Sequence, residues 1–183
     1  MIDVRFRVGG DVRYCSHHDM MRLMTRTLVR ACWPMVYSQG FNPHPRISLC
    51  VPRPVGIASE DEHLLVRVGE DFTLTPAADR LAGQLPDGID LLNVVQGRFK
   101  PSAAIYQLDL PVEQLERLGG KQIKGVAGLL ELTIGGPSEA LSWKAVVGGP
   151  APRPADILTR LDLIPQKWLH HVVRMEILGR SDG

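Results

Sequence analysis

Two prolines one residue apart, Pro43 and Pro45, constrain the first third of this chain more than any other feature. They lie in the run Ser38-Gln39-Gly40-Phe41-Asn42-Pro43-His44-Pro45-Arg46-Ile47-Ser48. Each proline locks its own φ and pushes the residue before it, Asn42 or His44, out of the helical region. Gly40 can take a backbone angle that a residue with a Cβ avoids. The run is therefore a stiffened, extended loop, and whatever precedes it must end before the strand-like residues 46–51 begin. It also gathers two amides, two hydroxyls, a histidine and an aromatic ring, a wider range of groups than solvating a loop requires. Ser38, Gln39, Gly40, Phe41, Asn42, His44 and Ser48 are accordingly a candidate ligand-recognition loop.

Upstream of the loop, the periodicity is helical. Ser16 suits an N-cap, Asp19 supplies a variant of the capping box, and Trp33-Pro34 stops the helix near Cys32. Met20, Leu23, Met24, Leu28, Ala31 and Cys32 fall on one arc at 100° per residue, which predicts an amphipathic helix. Arg22, Arg26 and Arg30 follow each other at i, i+4 and i+8 on the opposite arc, with His18 one turn earlier. Most charged stripes are solvated faces carrying both signs. This one carries a single sign, because no acid occurs between Asp19 and Glu60. Like charges at this spacing cost a helix a few tenths of a kcal/mol per pair, a cost that an anionic partner would remove.

The asymmetry extends beyond the helix. Residues 1–55 hold eight arginines against Asp3, Asp11 and Asp19, within a chain whose formal net charge is +1, and the first lysine is Lys100. Arginine presents a planar fork suited to phosphate, which lysine lacks. Arg22, Arg26, Arg30, Arg46 and Arg53 are thus candidate anion- or RNA-binding residues.

The order of elements suggests a repeat. Residues 4–14 alternate as a strand interrupted by Gly9-Gly10-Asp11, then come the helix, strands at 46–51 and 62–68, a helix at 77–85 opened by Thr75-Pro76, and a strand at 88–95. This βαββαβ order predicts a ferredoxin-like unit: an antiparallel sheet with two helices on one face. After a linker at 98–102 the order returns. Strands are expected at 104–110, Leu129–Ile134, 141–147 and 171–178, and helices at Val112–Leu118 and 154–161. The predicted fold class is α+β, with tandem ferredoxin-like domains at 1–98 and 102–183 and a mobile loop at 148–152.

Several function classes lack support. No apolar run approaches the roughly 18 residues of a membrane span, and the charged start of the chain is unlike a signal peptide, so a cytoplasmic protein without membrane attachment is expected. Cys15, Cys32 and Cys50 are widely spaced, with Cys32 and Cys50 expected to be buried spectators. No Cys-x-x-Cys occurs, so no iron–sulfur cluster is expected on this chain. His17 and His18 diverge by about 100° on a helix and cannot readily share a metal, so no metal site is expected. His17, His18 and His44 are weak candidates for general acid–base work, since no orienting partner is visible. Ser38 and Ser48 lack the motif of a nucleophile elbow.

A family likeness joins these features. The run Arg13-Tyr14-Cys15-Ser16-His17-His18-Asp19-Met20-Met21-Arg22, the proline loop, and Pro52-x-Pro54-x-Gly56 followed by Ser59-Glu60 closely resemble the radical SAM-linked protein family, the domain of unknown function DUF2344. The family's usual Ser-His-Leu-Asp stands here as Ser16-His17-His18-Asp19. The resemblance implies a companion to a radical S-adenosylmethionine enzyme that carries a cobalamin-binding domain. That partner would hold the S-adenosylmethionine, iron–sulfur cluster and cobalamin, and this chain would bind no cofactor. The expected architecture also resembles that of RAMP-type RNA-processing endoribonucleases, a likeness of fold that does not carry function with it. Three readings follow: a non-catalytic module presenting structured RNA or another anionic substrate to the partner, a docking domain for that partner without nucleic acid, and a RAMP-like endoribonuclease.

Overall fold

Ile2, Val4, Phe6 and Val8 alternate with Asp3, Arg5 and Arg7, and this two-residue period makes strand β1, Ile2–Val8, with its apolar side buried. The computed structural model describes residues 1–119, 121, 123, 126–135, 140–147 and 151–182. Gly9 ends β1, and Gly10–Tyr14 forms a 3-10 turn where the alternation of residues 4–14 predicted more strand. Helix α1, His17–Arg30, follows, with the Ser16 side chain accepting from the Asp19 N–H. It buries Met20, Met24, Thr27 and Leu28 against β1 and stops two residues short of the expected end.

Short strand β2 (Ile47–Leu49), long strand β3 (Ala58–Val66), helix α2 (Leu74–Ala82) and strand β4 (Ile89–Gln96) complete the first half. Helix α2 begins three residues before the predicted start, with Thr73 rather than Thr75 at its N-cap. The second half consists of β5 (Arg98–Leu108), α3 (Val112–Leu118), β6 (Leu129–Ile134), β7 (Leu141–Val146), α4 (Pro154–Arg160), α5 (Pro165–Trp168) and β8 (Val172–Asp182). Residues 148–150 of the loop expected to be mobile lie outside the described residues. Residues 98–102, expected as a linker, are instead the start of β5, paired with the end of β8. Pro101 hid the start of this strand, because proline donates no ladder hydrogen bond; it sits where the β5–β8 register shifts.

The fold is mixed α/β, with one eight-stranded, mostly antiparallel sheet and five α-helices among the described residues. The strand order is β4-β1-β3-β8-β5-β7-β6, with β2 also on β3. The outer edge of β3 is shared: its C-terminal half pairs with β2, and Ala58 and Ser59 pair in parallel with Val173 and Arg174 of β8. Each half packs an apolar core between its helices and the sheet, around Phe6, Met24 and Leu64 in the first and Trp143, Leu158 and Val172 in the second. A third cluster of Val51, Leu65, Phe99 and Ile177 packs on the other side of β3 and draws on both halves. No helix among the described residues is long and apolar enough to cross a membrane.

Candidate functional site

Burying Met20, Met24 and Leu28 turns the opposite flank of α1 outward, and His18, Met21, Arg22, Thr25 and Arg26 lie along it. Facing them are His44, Pro45 and Ile47, which bring the proline-stiffened segment alongside the helix. Together these residues line an open groove of about 460 Å³. The loop is closed at its base by the Ser38 N–H donating to the His44 carbonyl (2.8 Å) and the His44 N–H donating to the Ser38 hydroxyl (3.0 Å). Tyr37 and Pro45 bridge just below. Gly40 takes φ +126°, which disfavours any residue with a Cβ, and Phe41 follows it fully exposed.

The groove is cationic. Arg26 has no acidic partner among the described residues, and Arg22 has only Asp19 at 3.7 Å, both side chains well exposed. Such a surface pair contributes little. The Ser16 hydroxyl donates to Asp19 and, with the nearby Arg22, holds its carboxyl below the usual carboxylate range. Neither His18 nor His44 has a side-chain hydrogen-bond partner among the described residues, so neither has an orienting group for acid–base chemistry.

The other predicted residues go elsewhere. Arg30 reaches the end of α2, donating to the Gln84 carbonyl (2.8 Å) and to the Thr27 hydroxyl (3.1 Å). Arg53 turns inward and donates to the carbonyls of Arg13 (2.7 Å), Ile57 and Val12, and burial lowers its pKa. It clamps the 3-10 turn rather than facing solvent. Arg46 and Ser48 flank Ile47, so their side chains leave on the face opposite the groove, where both are exposed. Gln39 and Asn42 are exposed on the loop. His17 is half-buried beside a narrow cavity lined also by Cys15, Ser16, Arg53 and Glu62, with its Nδ1 unpartnered among the described residues. Cys32, expected to be buried, is exposed with φ +54°, while burial pushes the Cys50 thiol up to about 12. No group of three or more His, Cys, Asp or Glu among the described residues is placed to hold a metal ion.

A second polar cluster was not legible in the sequence. On the face of the sheet away from α1, His63 of β3 lies buried between two carboxylates, with Nδ1 2.8 Å from Asp3 Oδ2 and Nε2 3.4 Å from Asp61 Oδ1. Asp61 also accepts from Arg5 (Nη2, 2.9 Å) and from the Ile177 N–H of β8 (3.0 Å). Phe99 stacks on the imidazole with ring centroids 3.8 Å apart. Burial opposes charge on His63, but hydrogen bonds to Asp3 and Asp61 outweigh it and raise its pKa. Burial likewise opposes ionisation of Asp61, yet hydrogen bonds from His63, Ile177 and Arg5 hold its pKa at about 2. The only local signal is the crowding of Glu60, Asp61, Glu62 and His63 in one strand. Their partners are remote. On the opposite side of β3, buried Glu62 meets buried Arg174 at 3.0 Å, and burial raises the Glu62 pKa against the pull of that guanidinium.

No curated protein matches this chain. A family model described as an uncharacterized protein conserved in bacteria, DUF2344, matches residues 1–111, a stretch that contains α1, the proline loop and every residue lining the groove, and the chain belongs to that family.

Proposed function

We propose that this protein is a non-catalytic RNA-binding module that presents a structured RNA, of which tRNA is one kind, to a separate radical SAM enzyme carrying a cobalamin domain. One observation carries the reading: Arg22, Arg26, His18 and His44 border a single open groove, and its arginines are not neutralised by strong acidic partners among the described residues. Guanidinium groups so placed suit successive phosphates of a polyanion. The link to the radical SAM enzyme rests on the family likeness of the motif-bearing segments. In this reading the enzyme would supply the S-adenosylmethionine, cluster and cobalamin in the cytoplasm, and this chain would position the substrate. The two halves repeat one arrangement, β4-β1-β3-β2 and β8-β5-β7-β6, which supports a tandem ferredoxin-like description.

A mobility-shift titration with bulk tRNA at several salt concentrations tests the reading. Binding should weaken steeply as salt rises, and Arg26→Ala should lower the slope of log affinity against log salt by about one. Absence of binding at low salt would end it. A second reading, docking without nucleic acid, draws on an apolar groove of about 420 Å³ lined by Tyr14, Val55 and Leu169, with Tyr14 and Val55 exposed. It predicts a complex with the radical SAM protein that survives high salt, because a packed interface is screened less than a phosphate contact. Tyr14→Ala should then break the complex, and Arg26→Ala should leave it intact.

A further inference from the structure

We propose that the Phe41 ring stacks on an unpaired nucleobase of the RNA held in the groove, so that the module recognises a single-stranded segment. The inference rests on the groove reading above and deepens it. Phe41 is fully exposed, and aromatic residues make up only 5% of the chain. A ring so presented has water on both faces and forfeits the burial that drives most phenylalanines inward. The backbone that holds it is constrained. Gly40 takes a positive φ, Pro43 and Pro45 restrict the chain after the ring, and two hydrogen bonds between Ser38 and His44 close the loop. The ring therefore pays little ordering entropy on contact.

The same closure puts His44 on the wall of the groove, and Phe41, three residues earlier, is at most about 11 Å of extended chain from it, a separation that one or two nucleotides can span. A flat apolar face carried on the loop that borders a cationic groove suits a nucleotide, whose base offers a π-face and whose phosphate offers the charge. Bases within a duplex are stacked on each other, and their faces are closed to a side chain. An unpaired base is open to it.

The test compares a single-stranded RNA with a duplex of equal length, using a single strand that also carries 2-aminopurine as a stacking reporter. The wild-type protein should prefer the single strand and quench the reporter. Phe41→Ala should lower single-strand affinity about tenfold, abolish the quenching and leave duplex affinity within about twofold. Phe41→Trp should retain both affinity and quenching. The ring is fully exposed, so the fold should survive either substitution, which circular dichroism checks. If Phe41→Ala leaves single-strand affinity and quenching unchanged while Arg22→Ala and Arg26→Ala weaken binding, stacking is overturned and the groove reading stands. If Phe41→Ala instead disrupts only a complex with a protein partner, the ring belongs to docking and stacking is again overturned. If neither RNA binds at low salt, both proposals fall.

Discussion

Arginines in this protein differ chiefly in what their guanidinium groups face. Arg174 is wholly buried on Glu62, Arg53 is capped by carbonyls, and Arg5 is held on Asp61, whereas Arg22 and Arg26 open to solvent. Of these five, Arg26 has no acidic partner among the described residues and Arg22 gives up only an exposed pair with Asp19 at 3.7 Å, so these two meet an anion at least cost. The buried trio Asp3, His63 and Asp61 makes stability pH-dependent. The ordinary pKa of His63 is 6.5 and its folded value is raised, so its contribution is complete below about pH 6.5 and is lost as pH rises through the folded value. The melting temperature of wild type should therefore exceed that of His63→Gln most below pH 6.5, with the gap closing at alkaline pH. Asp61 runs the other way. Its folded pKa of about 2 lies below the ordinary 3.8, so its contribution is present above pH 3.8 and is lost as pH falls through about 2. Asp61→Asn should cost about 2 kcal/mol or more at neutral pH and raise the midpoint of acid unfolding, as followed by denaturant titration and circular dichroism.

Elements whose pattern is local were readable one by one. Helix α1 carried its own cap and apolar arc, and the ends of α3 and β6 fall where the sequence placed them. Ser16→Ala should cost about 1 kcal/mol in chemical denaturation, because the Asp19 N–H loses its acceptor. Strand β5 was readable only in part, as the strand expected at 104–110; its first residues hold Pro101 and are a strand only because β8 lies beside them. That pairing brings Gly179 so close to β5 that a Cβ there would lie 2.3 Å from the Lys100 carbonyl oxygen and 2.6 Å from the Phe99 ring. Gly179→Ala should force the strands apart and shift Phe99 off His63, at a cost of about 1–3 kcal/mol read from the denaturant midpoint. The exposure of Cys32 has a similar origin: the chain turns at a positive φ just past α1, and the helical arc that would bury the thiol has already ended.

At the scale of the molecule, the halves are joined by buried charge as well as apolar packing. Arg174 donates to Glu62 and to the carbonyls of Val51 and Pro52, and Phe99 and Ile177 cover His63 and Leu65. Removing one partner of such a pair leaves the other uncompensated, so Arg174→Ala should cost about 3–5 kcal/mol. The whole chain should melt in one calorimetric transition, and residues 1–98 alone should fail to give a stable monomer, since they lack both β8 and Phe99. Two separate transitions, or a well-folded fragment, would show the seam to be unimportant. The sequence by itself determined the order of the eight strands and of helices α1 to α4, the apolar side of α1, the stiffness of the proline loop and the excess of arginine, because each depends on neighbours within a few residues. Tertiary structure alone decided which arginines remain free, that residues 98–102 are a strand, and that histidine and carboxylates meet inside. Those outcomes depend on contacts between residues 60 (Asp3 with His63) and 112 (Glu62 with Arg174) positions apart, and a charge is solvated or buried according to distances that no local pattern encodes.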